Sequence, residues 1–212
     1  MTLTLHYVFD PLCGWCYGAS AAVAALAAEP DVALHLLPSG LFSGEGARPM
    51  DDDFAAYAWG HDQRIARLTG QPFTERYRSD VLADRRQDFD SGPATVALTA
   101  VALSAPQREW QALHAIQQAR YIDGQDITRL DTLAAVLRPL GLTQAAERLA
   151  EPDAALLDAN RARTAQARAL LQAVGARGVP TFILQAEGQY RLLHASAAYA
   201  NPQALLDQLV AA

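Results

Sequence analysis

The sequence predicts an α/β protein in which a large all-helical segment interrupts the part of the chain that forms the sheet. Three observations lead to this fold class. The first 36 or so residues have the pattern of strand, helix and strand; about a hundred residues then carry only helical signals; and the end of the chain returns to two strands and a helix. With 212 residues, 51% of them hydrophobic, the chain can bury a sizeable core.

The N-terminal part has the pattern of a βαβ unit. Residues 2–9 alternate between apolar and other side chains, which is typical of a strand with a buried face. Residues 13–28 are rich in Ala and show helical spacing, and Pro30 ends this helix. Residues 31–37 read as a second strand, so we expect a parallel pair joined by a right-handed crossover.

The middle of the chain predicts helices alone. A loop rich in Gly, Ser and Pro covers residues 38–50, and a helix is predicted over 52–69 because three aspartates suit its N-terminus. Another helix begins near "DSGPATVALTAVAL", with Ser91 as its cap, and "EWQALHAIQQARYI" continues the pattern. A leucine stripe predicts a fourth helix that ends at Gly141, and a long helix follows from about residue 153.

After Gly175 the period of the sequence changes back to that of strands. "TFILQ" and "YRLLHA" are predicted to pair as a hairpin around Gly188, and Asn201 caps a last helix. The sheet-forming part is thus predicted in two pieces, residues 1–48 and 152–212, with a helical insertion domain over residues 49–151.

Composition excludes several classes of protein. The formal net charge of -6 and the even spread of charge argue against a nucleic-acid partner. No apolar run is long enough to span a membrane, and the N-terminus lacks the features of a secretory signal, so we expect a cytoplasmic protein with no membrane partner.

The two cysteines of the chain lie two residues apart in "DPLCGWCYG", and three explanations compete for them. A structural disulfide is weakly supported, because the cytosol keeps thiols reduced and so small a loop gains little from closure. A zinc site needs four ligands, and no second Cys-x-x-Cys or His pair supplies them, so we expect no metal. A working dithiol remains: Cys13 and Cys16 follow a strand and open a helix within a βαβ pattern, which indicates a thioredoxin-like redox motif.

A second motif, "RGVPTFIL", opens the third strand. Proline at a strand start removes a ladder hydrogen bond, and a cis Val179–Pro180 bond would present the Val179 backbone beside the dithiol. The predicted fold is therefore thioredoxin-like, with the helical insertion between the second strand and the cis-proline strand.

Together these motifs resemble the DsbA-like thioredoxin superfamily, and within it the cytosolic FrnE-type oxidoreductases and the 2-hydroxychromene-2-carboxylate isomerases. "FDPLCGWCYG", "GVPTF", "FDSGPA" and "YIDGQDI" carry this resemblance along nearly the whole chain. It implies that Cys13 is the exposed nucleophile, Cys16 the resolving thiol and Pro180 the cis-proline. We also expect Trp15 and the loop before Thr181 to form a flat apolar surface that contacts the substrate, and we assign Gly14, Trp15, Val179, Pro180 and Thr181 to substrate binding.

The expected activity is thiol-disulfide exchange through a mixed disulfide on Cys13 that Cys16 resolves, with protein or small-molecule disulfides as substrates. No cofactor beyond the redox-active Cys13–Cys16 pair is expected, and glutathione is a candidate reductant. The alternative is a glutathione-dependent isomerase or a kappa-like glutathione transferase acting on a small molecule. The isomerases and transferases that the chain resembles have Ser at the first position of this motif, where this chain has Cys13.

Other polar residues near the motifs have structural interpretations. Asp10 is interpreted as a turn residue before Pro11 in preference to a proton acceptor for Cys16. Tyr17 is assigned equally to the site or to packing. His61, His114 and His194 are expected at the surface or in structural hydrogen bonds.

Overall fold

The computed structural model describes residues 3–210, together with all side chains in this range except Ala197, Ala200, Pro202 and Val210. Residues 1–2 and 211–212, at the start of the predicted first strand and the end of the predicted last helix, lie outside the described residues.

A four-stranded mixed sheet forms the centre of the fold, in the order β2-β1-β5-β6. Its strands are β1 (Leu3–Phe9), β2 (Val32–Pro38), β5 (Thr181–Ala186) and β6 (Gln189–Leu193). β1 pairs with β2 in parallel, as the βαβ pattern predicts, and β5 runs antiparallel to both β1 and β6. Glu187 and Gly188 both have positive φ and make the tight turn of the predicted hairpin.

Helices cover both faces of the sheet. α9 (Ala154–Ala173) packs on the face that contains Val8 and Ile183. The opposite face, which contains Tyr7 and Phe182, belongs to the main core together with α2 (Ser20–Ala28). α10 (Ala197–Ala200) and α11 (Pro202–Val210) complete this side, where α11 contacts α2.

The insertion between β2 and α9 is mostly helical. Its longer helices are α3 (Asp52–Thr69), α5 (Gly92–Ser104), α6 (Glu109–Tyr121), α7 (Leu130–Leu137) and α8 (Thr143–Arg148). α4 (Glu75–Tyr77) is a single turn that continues into a π-helical turn (Arg78–Leu82). Short 3₁₀ turns cover Gly44–Gly46, Pro106–Arg108 and Arg138–Leu140.

Three local predictions, two of them in the insertion, are wrong. The helix expected over residues 13–28 is two helices, α1 (Gly14–Gly18) and α2, separated at Ala19. The middle segment is not purely helical, because β3 (Arg48–Pro49) and β4 (Asp88–Phe89) form a two-residue ladder. Ser91 precedes α5 without capping it, since its hydroxyl is hydrogen-bonded elsewhere.

Candidate functional site

Cys13 and Cys16 lie at the carboxyl end of β1, where the chain turns into α1. Both are free thiols. Cys13 is 7% exposed and Cys16 is 1% exposed, so the exposed nucleophile that the family resemblance implies is largely covered in the structure. Cys13 nevertheless lines a surface groove, and Cys16 is sealed beneath it.

The environment of Cys16 favours its protonated form. Burial raises the pKa of the Cys16 thiol well above its ordinary value, and the neighbouring Cys13 raises it further. The Tyr7 hydroxyl donates to the carbonyl of Cys16 at 3.2 Å and fixes this turn of α1 on the sheet. Of the two sulfurs, Cys13 is therefore the one available to react first.

The second sequence motif comes back to the first in space. The Val179–Pro180 peptide bond is cis, and the Sγ of Cys13 lies 3.8 Å from the carbonyl oxygen of Val179. The hydroxyl of Thr181 donates to the carbonyl of Gly178 at 2.7 Å, so this side chain holds the turn around Pro180. The structure thus brings Cys13 and Val179 together across 166 residues of chain.

An aromatic groove of about 260 Å³ opens beside Cys13, between α1 and the insertion. We use this name for the space lined by Leu12, Cys13, Gly14, Trp15, Phe42, Phe54, Tyr57, Ala58, His61, Asp62, Ile65, Tyr77 and Phe89. Gly14 and Trp15, two of the predicted substrate-binding residues, belong to it. The Trp15 ring also packs on Tyr199, with 4.9 Å between the ring centroids.

Val179 lines a different groove, of about 410 Å³. Arg168 and Arg177 give this second groove a basic character, and the Arg168 guanidinium is fixed by the carbonyls of Ser39 and Gly40 at 2.9 Å each. Trp15 and the loop before Thr181 therefore border two grooves, where the sequence predicted one flat apolar surface.

Asp10 is a buried carboxylate that joins three segments of the chain. Its Oδ1 accepts from the backbone N–H of Leu12 at 3.0 Å, as expected of a turn residue. Its Oδ2 accepts from the Phe42 backbone at 3.1 Å and from the Ser91 hydroxyl at 2.8 Å. Burial raises the pKa of Asp10, while these three donors oppose the shift. With both oxygens occupied, Asp10 positions the loop that leads into Cys13.

Sequence reasoning missed Asp62, which faces the groove from α3. The Tyr77 hydroxyl donates to Asp62 Oδ2 at 2.9 Å, and Arg120 lies behind both residues. Asp62 stands in an ordinary helical stretch, "GHDQR", and no local signal distinguishes it from a solvent-facing acid.

The remaining candidates have structural positions. The Tyr17 ring is buried, stacks on Tyr121 and meets Phe73 edge-on, so the packing interpretation is the correct one. His61 lines the aromatic groove, whereas Nδ1 of His114 is buried and has no hydrogen-bond partner among the described residues. Within residues 3–210, no three His, Cys, Asp or Glu side chains cluster as metal ligands would. None of the described helices is both long and apolar enough to cross a membrane.

Comparison with known proteins identifies relatives along nearly the full chain. Residues 4–206 match the family model of the DSBA-like thioredoxin domain. The cytosolic disulfide reductase DsbM from Pseudomonas aeruginosa is 36% identical, with a TM-score of 0.88 over 99% of this chain and 100% of that one. The structure of the same protein with GSH gives 34% identity and a TM-score of 0.86, over 99% of this chain and 100% of that one.

A 2-hydroxychromene-2-carboxylate isomerase has a similar fold at 16% identity, with a TM-score of 0.64 over 98% of this chain and 96% of that one. No curated protein matches in sequence.

Proposed function

The chain belongs to the family of DSBA-like thioredoxin domains, and from this premise we propose that it is a disulfide reductase whose reacting group is the Cys13-Gly14-Trp15-Cys16 dithiol. One observation carries the proposal: the Sγ of Cys13 lies against the Val179 carbonyl beside the cis peptide bond, directly above a buried Cys16. The proposed nucleophile thus lies between the Val179 backbone and the proposed resolving thiol.

The reaction proceeds in two exchanges. The Cys13 thiolate attacks one sulfur of the substrate disulfide; that S–S bond breaks, and the other substrate sulfur leaves with the electron pair. Cys16 then releases its proton to solvent and attacks Cys13; the mixed disulfide breaks, and the second substrate sulfur leaves with the electron pair and takes up a proton from solvent. The substrate gains two electrons, and the enzyme is left with a Cys13–Cys16 disulfide.

The pKa of Cys16 suits this order of events. Because burial keeps Cys16 protonated, it does not compete with Cys13 for the incoming disulfide. It becomes the attacking group only after the mixed disulfide has placed a reactive sulfur next to it.

Reduction is the proposed direction of electron flow, because DsbM, at 36% identity, is a cytosolic disulfide reductase. The proposal includes a cytosolic location, where a poise of about -220 to -320 mV keeps most dithiols reduced. Two molecules of glutathione would regenerate the dithiol and leave as oxidised glutathione, and the structure of DsbM with GSH supports this choice of reductant.

The two grooves on either side of Cys13 suit the two halves of a disulfide. The half that becomes bonded to Cys13 is proposed to lie along Val179, where the backbone carbonyl offers a hydrogen-bond acceptor. The other half would occupy the aromatic groove, whose lining favours apolar groups. The proposal covers protein disulfides and small-molecule disulfides alike.

A redox titration tests the proposal. The protein is equilibrated with a series of reduced-to-oxidised glutathione ratios, and the Cys13–Cys16 state is read by thiol trapping and mass spectrometry. We expect one two-electron transition that disappears in Cys13→Ser. In a coupled assay of disulfide reduction with glutathione, Cys13→Ser should fall to the uncatalysed rate.

Cys16→Ser provides the matched control, since it retains the nucleophile and lacks the resolving thiol. It should accumulate a mixed disulfide on Cys13 that mass spectrometry detects. A transition that persists in Cys13→Ser would contradict the proposal. So would tight binding of intact glutathione without any exchange, an outcome that favours the isomerase or transferase alternative.

A further inference from the structure

Asp62 lines the aromatic groove from α3, and a hydrogen bond holds one of its two carboxylate oxygens. It is 5% exposed, and its Oδ2 accepts the hydrogen bond from Tyr77. Its Oδ1 packs directly on Gly14, the residue after Cys13, so closely that a Cβ at Gly14 would collide with it. No donor within residues 3–210 hydrogen-bonds to Oδ1. A buried acid with one unused oxygen therefore lies beside the proposed nucleophile.

Arg120 supplies a positive charge behind this carboxyl group. It is 1% exposed, and its guanidinium carbon lies 5.3 to 5.7 Å from the ring centroids of Tyr77, Phe89 and Tyr121. None of the ion pairs in the described part of the chain includes it, and its Nε has no hydrogen-bond partner there. Arg120 and Tyr77 both stabilise the ionised form of Asp62, whereas burial opposes it.

The balance of these effects raises the pKa of Asp62 to about 7, so the group exchanges a proton near neutral pH. The titratable and charged side chains that face it are those of Cys13, Tyr57, His61, Tyr77, Arg120 and Tyr121.

We propose that Asp62 is the general acid that protonates the sulfur leaving the substrate disulfide from within the aromatic groove. The inference rests on the proposed function. As the Cys13 thiolate bonds to one substrate sulfur, the S–S bond breaks and its electron pair stays on the other sulfur. That sulfur takes the proton from Asp62 Oδ1 and departs as a thiol. The carboxylate so formed is stabilised by the Tyr77 hydroxyl and by Arg120. Solvent then protonates Asp62 again, which balances the proton that Cys13 released to solvent when it ionised.

Asp10, which has a structural position, has both carboxylate oxygens hydrogen-bonded. Asp62 instead lines the groove proposed for the departing half of the substrate, and one of its oxygens has no hydrogen-bond partner within residues 3–210. A proton donor in that position assists poor leaving groups most, because a good leaving group departs as a thiolate without help.

This dependence on the leaving group gives the test. Reduction rates are measured for two uncharged disulfides, bis(2-hydroxyethyl) disulfide, which releases an alkyl thiol, and 2,2′-dithiodipyridine, which releases a delocalised thiolate. Both reactions need the Cys13 thiolate, so the fraction of Cys13 that is ionised affects both rates equally and drops out of their ratio. In Asp62→Asn we expect the alkyl rate relative to the pyridyl rate to fall by about tenfold or more. An unchanged ratio would overturn the proposal.

The pH dependence of the same ratio gives a second readout. In the wild type the relative alkyl rate should fall as the pH rises through about 7, where Asp62 loses its proton, and the ratio should be flat in Asp62→Asn. Tyr77→Phe removes a donor that favours the carboxylate, so it should move this fall to higher pH. A fall that stays in place in both variants would assign the titration to another group and overturn the proposal.

Asp53→Asn is the matched control, because Asp53 is an exposed acid on the same helix and does not line the groove. It should keep the wild-type ratio and its pH dependence, and a ratio that falls as in Asp62→Asn would overturn the proposal. Cys13→Ser separates the two proposals: loss of both rates supports the disulfide reductase whatever Asp62 does. Retention of either rate would contradict the reductase itself and the role of Asp62 with it.

Discussion

The two buried aspartates beside the dithiol differ in what their oxygens contact. Asp10 receives three hydrogen bonds from groups in three chain segments, so both of its carboxylate oxygens have partners within the protein. Asp62 receives one hydrogen bond from the described residues, on Oδ2, and it lines the aromatic groove. Burial raises the pKa of both groups, but of the two only Asp62 lines the aromatic groove.

Asp62 should also make folding stability depend on pH. Its pKa is about 7 in the folded protein against 3.8 when unperturbed, so between these values the folded state binds a proton that the unfolded state has lost. Stability from this group is complete below about pH 4 and is lost as the pH rises through about 7. At about 1.4 kcal/mol per unit, the loss approaches about 4 kcal/mol.

The measurement is urea unfolding of the wild type and Asp62→Asn at pH 4.5, 6 and 7.5. The free energy of unfolding of the variant should rise relative to that of the wild type across this range. The difference between the two proteins removes the contributions of the other acids. Parallel pH profiles for the two proteins would show that Asp62 ionises normally in the folded state.

Among single residues, the sequence identifies those whose role is encoded in a short motif. Cys13, Cys16 and Pro180 stand in short motifs, so their positions could be predicted before the fold was known. Asp62, Tyr77 and Arg120 come from three separate helical stretches, and burial at a shared point is what makes them unusual. Ser91 illustrates the same limit: its local pattern indicates a helix cap, yet Asp10 accepts its hydroxyl across 81 residues.

Among the secondary-structure elements, the contact between α1 and α3 determines the shape of the site. Gly14 lets the first turn of α1 lie against Asp62 and Ile65 without a side chain between them. The two helices approach each other this closely because residue 14 is a glycine.

Gly14→Ala should destabilise the protein by about 1–3 kcal/mol, because the added Cβ collides with Asp62 Oδ1 and lies 3.1 Å from Ile65 Cδ1. Asp62 is tied to Tyr77 and cannot move aside freely. Gly60→Ala is the control: it lies within α3 with nothing near its Cβ position, so it should stabilise by about 0.5–1 kcal/mol. Urea unfolding measures both, and equal effects would mean that α1 can shift away from α3.

The range of a helix could be predicted where the sequence carries both a start signal and a stop signal. α3 matches its predicted range because Asp51 caps its start, and Gly70, with φ of 74°, ends it. The division of α1 from α2 at Ala19 has no such signal, since Ala is a strong helix former. The ladder of β3 and β4 is two residues long, too short for any periodicity to appear.

At the scale of the whole molecule, the insertion and the sheet share one core. The main hydrophobic cluster includes residues from all three predicted segments, such as Phe9, Leu113 and Phe182. Polar contacts add to this continuity: the Tyr121 hydroxyl of α6 donates to the Leu12 carbonyl at 2.8 Å, next to Cys13. The fold class could be predicted from the order of elements, whereas this shared core depends on tertiary packing that no local pattern encodes.

A shared core predicts that the protein unfolds in one cooperative transition. The far-ultraviolet circular dichroism signal comes mostly from helices, many of them in the insertion, while Cys16 is buried beside the sheet. In a Cys13→Ser background, Cys16 is the single thiol, and its reaction with a maleimide reports exposure of that region. Loss of ellipticity and loss of thiol protection should have the same urea midpoint. If ellipticity falls while Cys16 stays protected, the insertion unfolds as a separate unit, and the contacts at Gly14, Leu12 and Asp10 do not couple it to the dithiol.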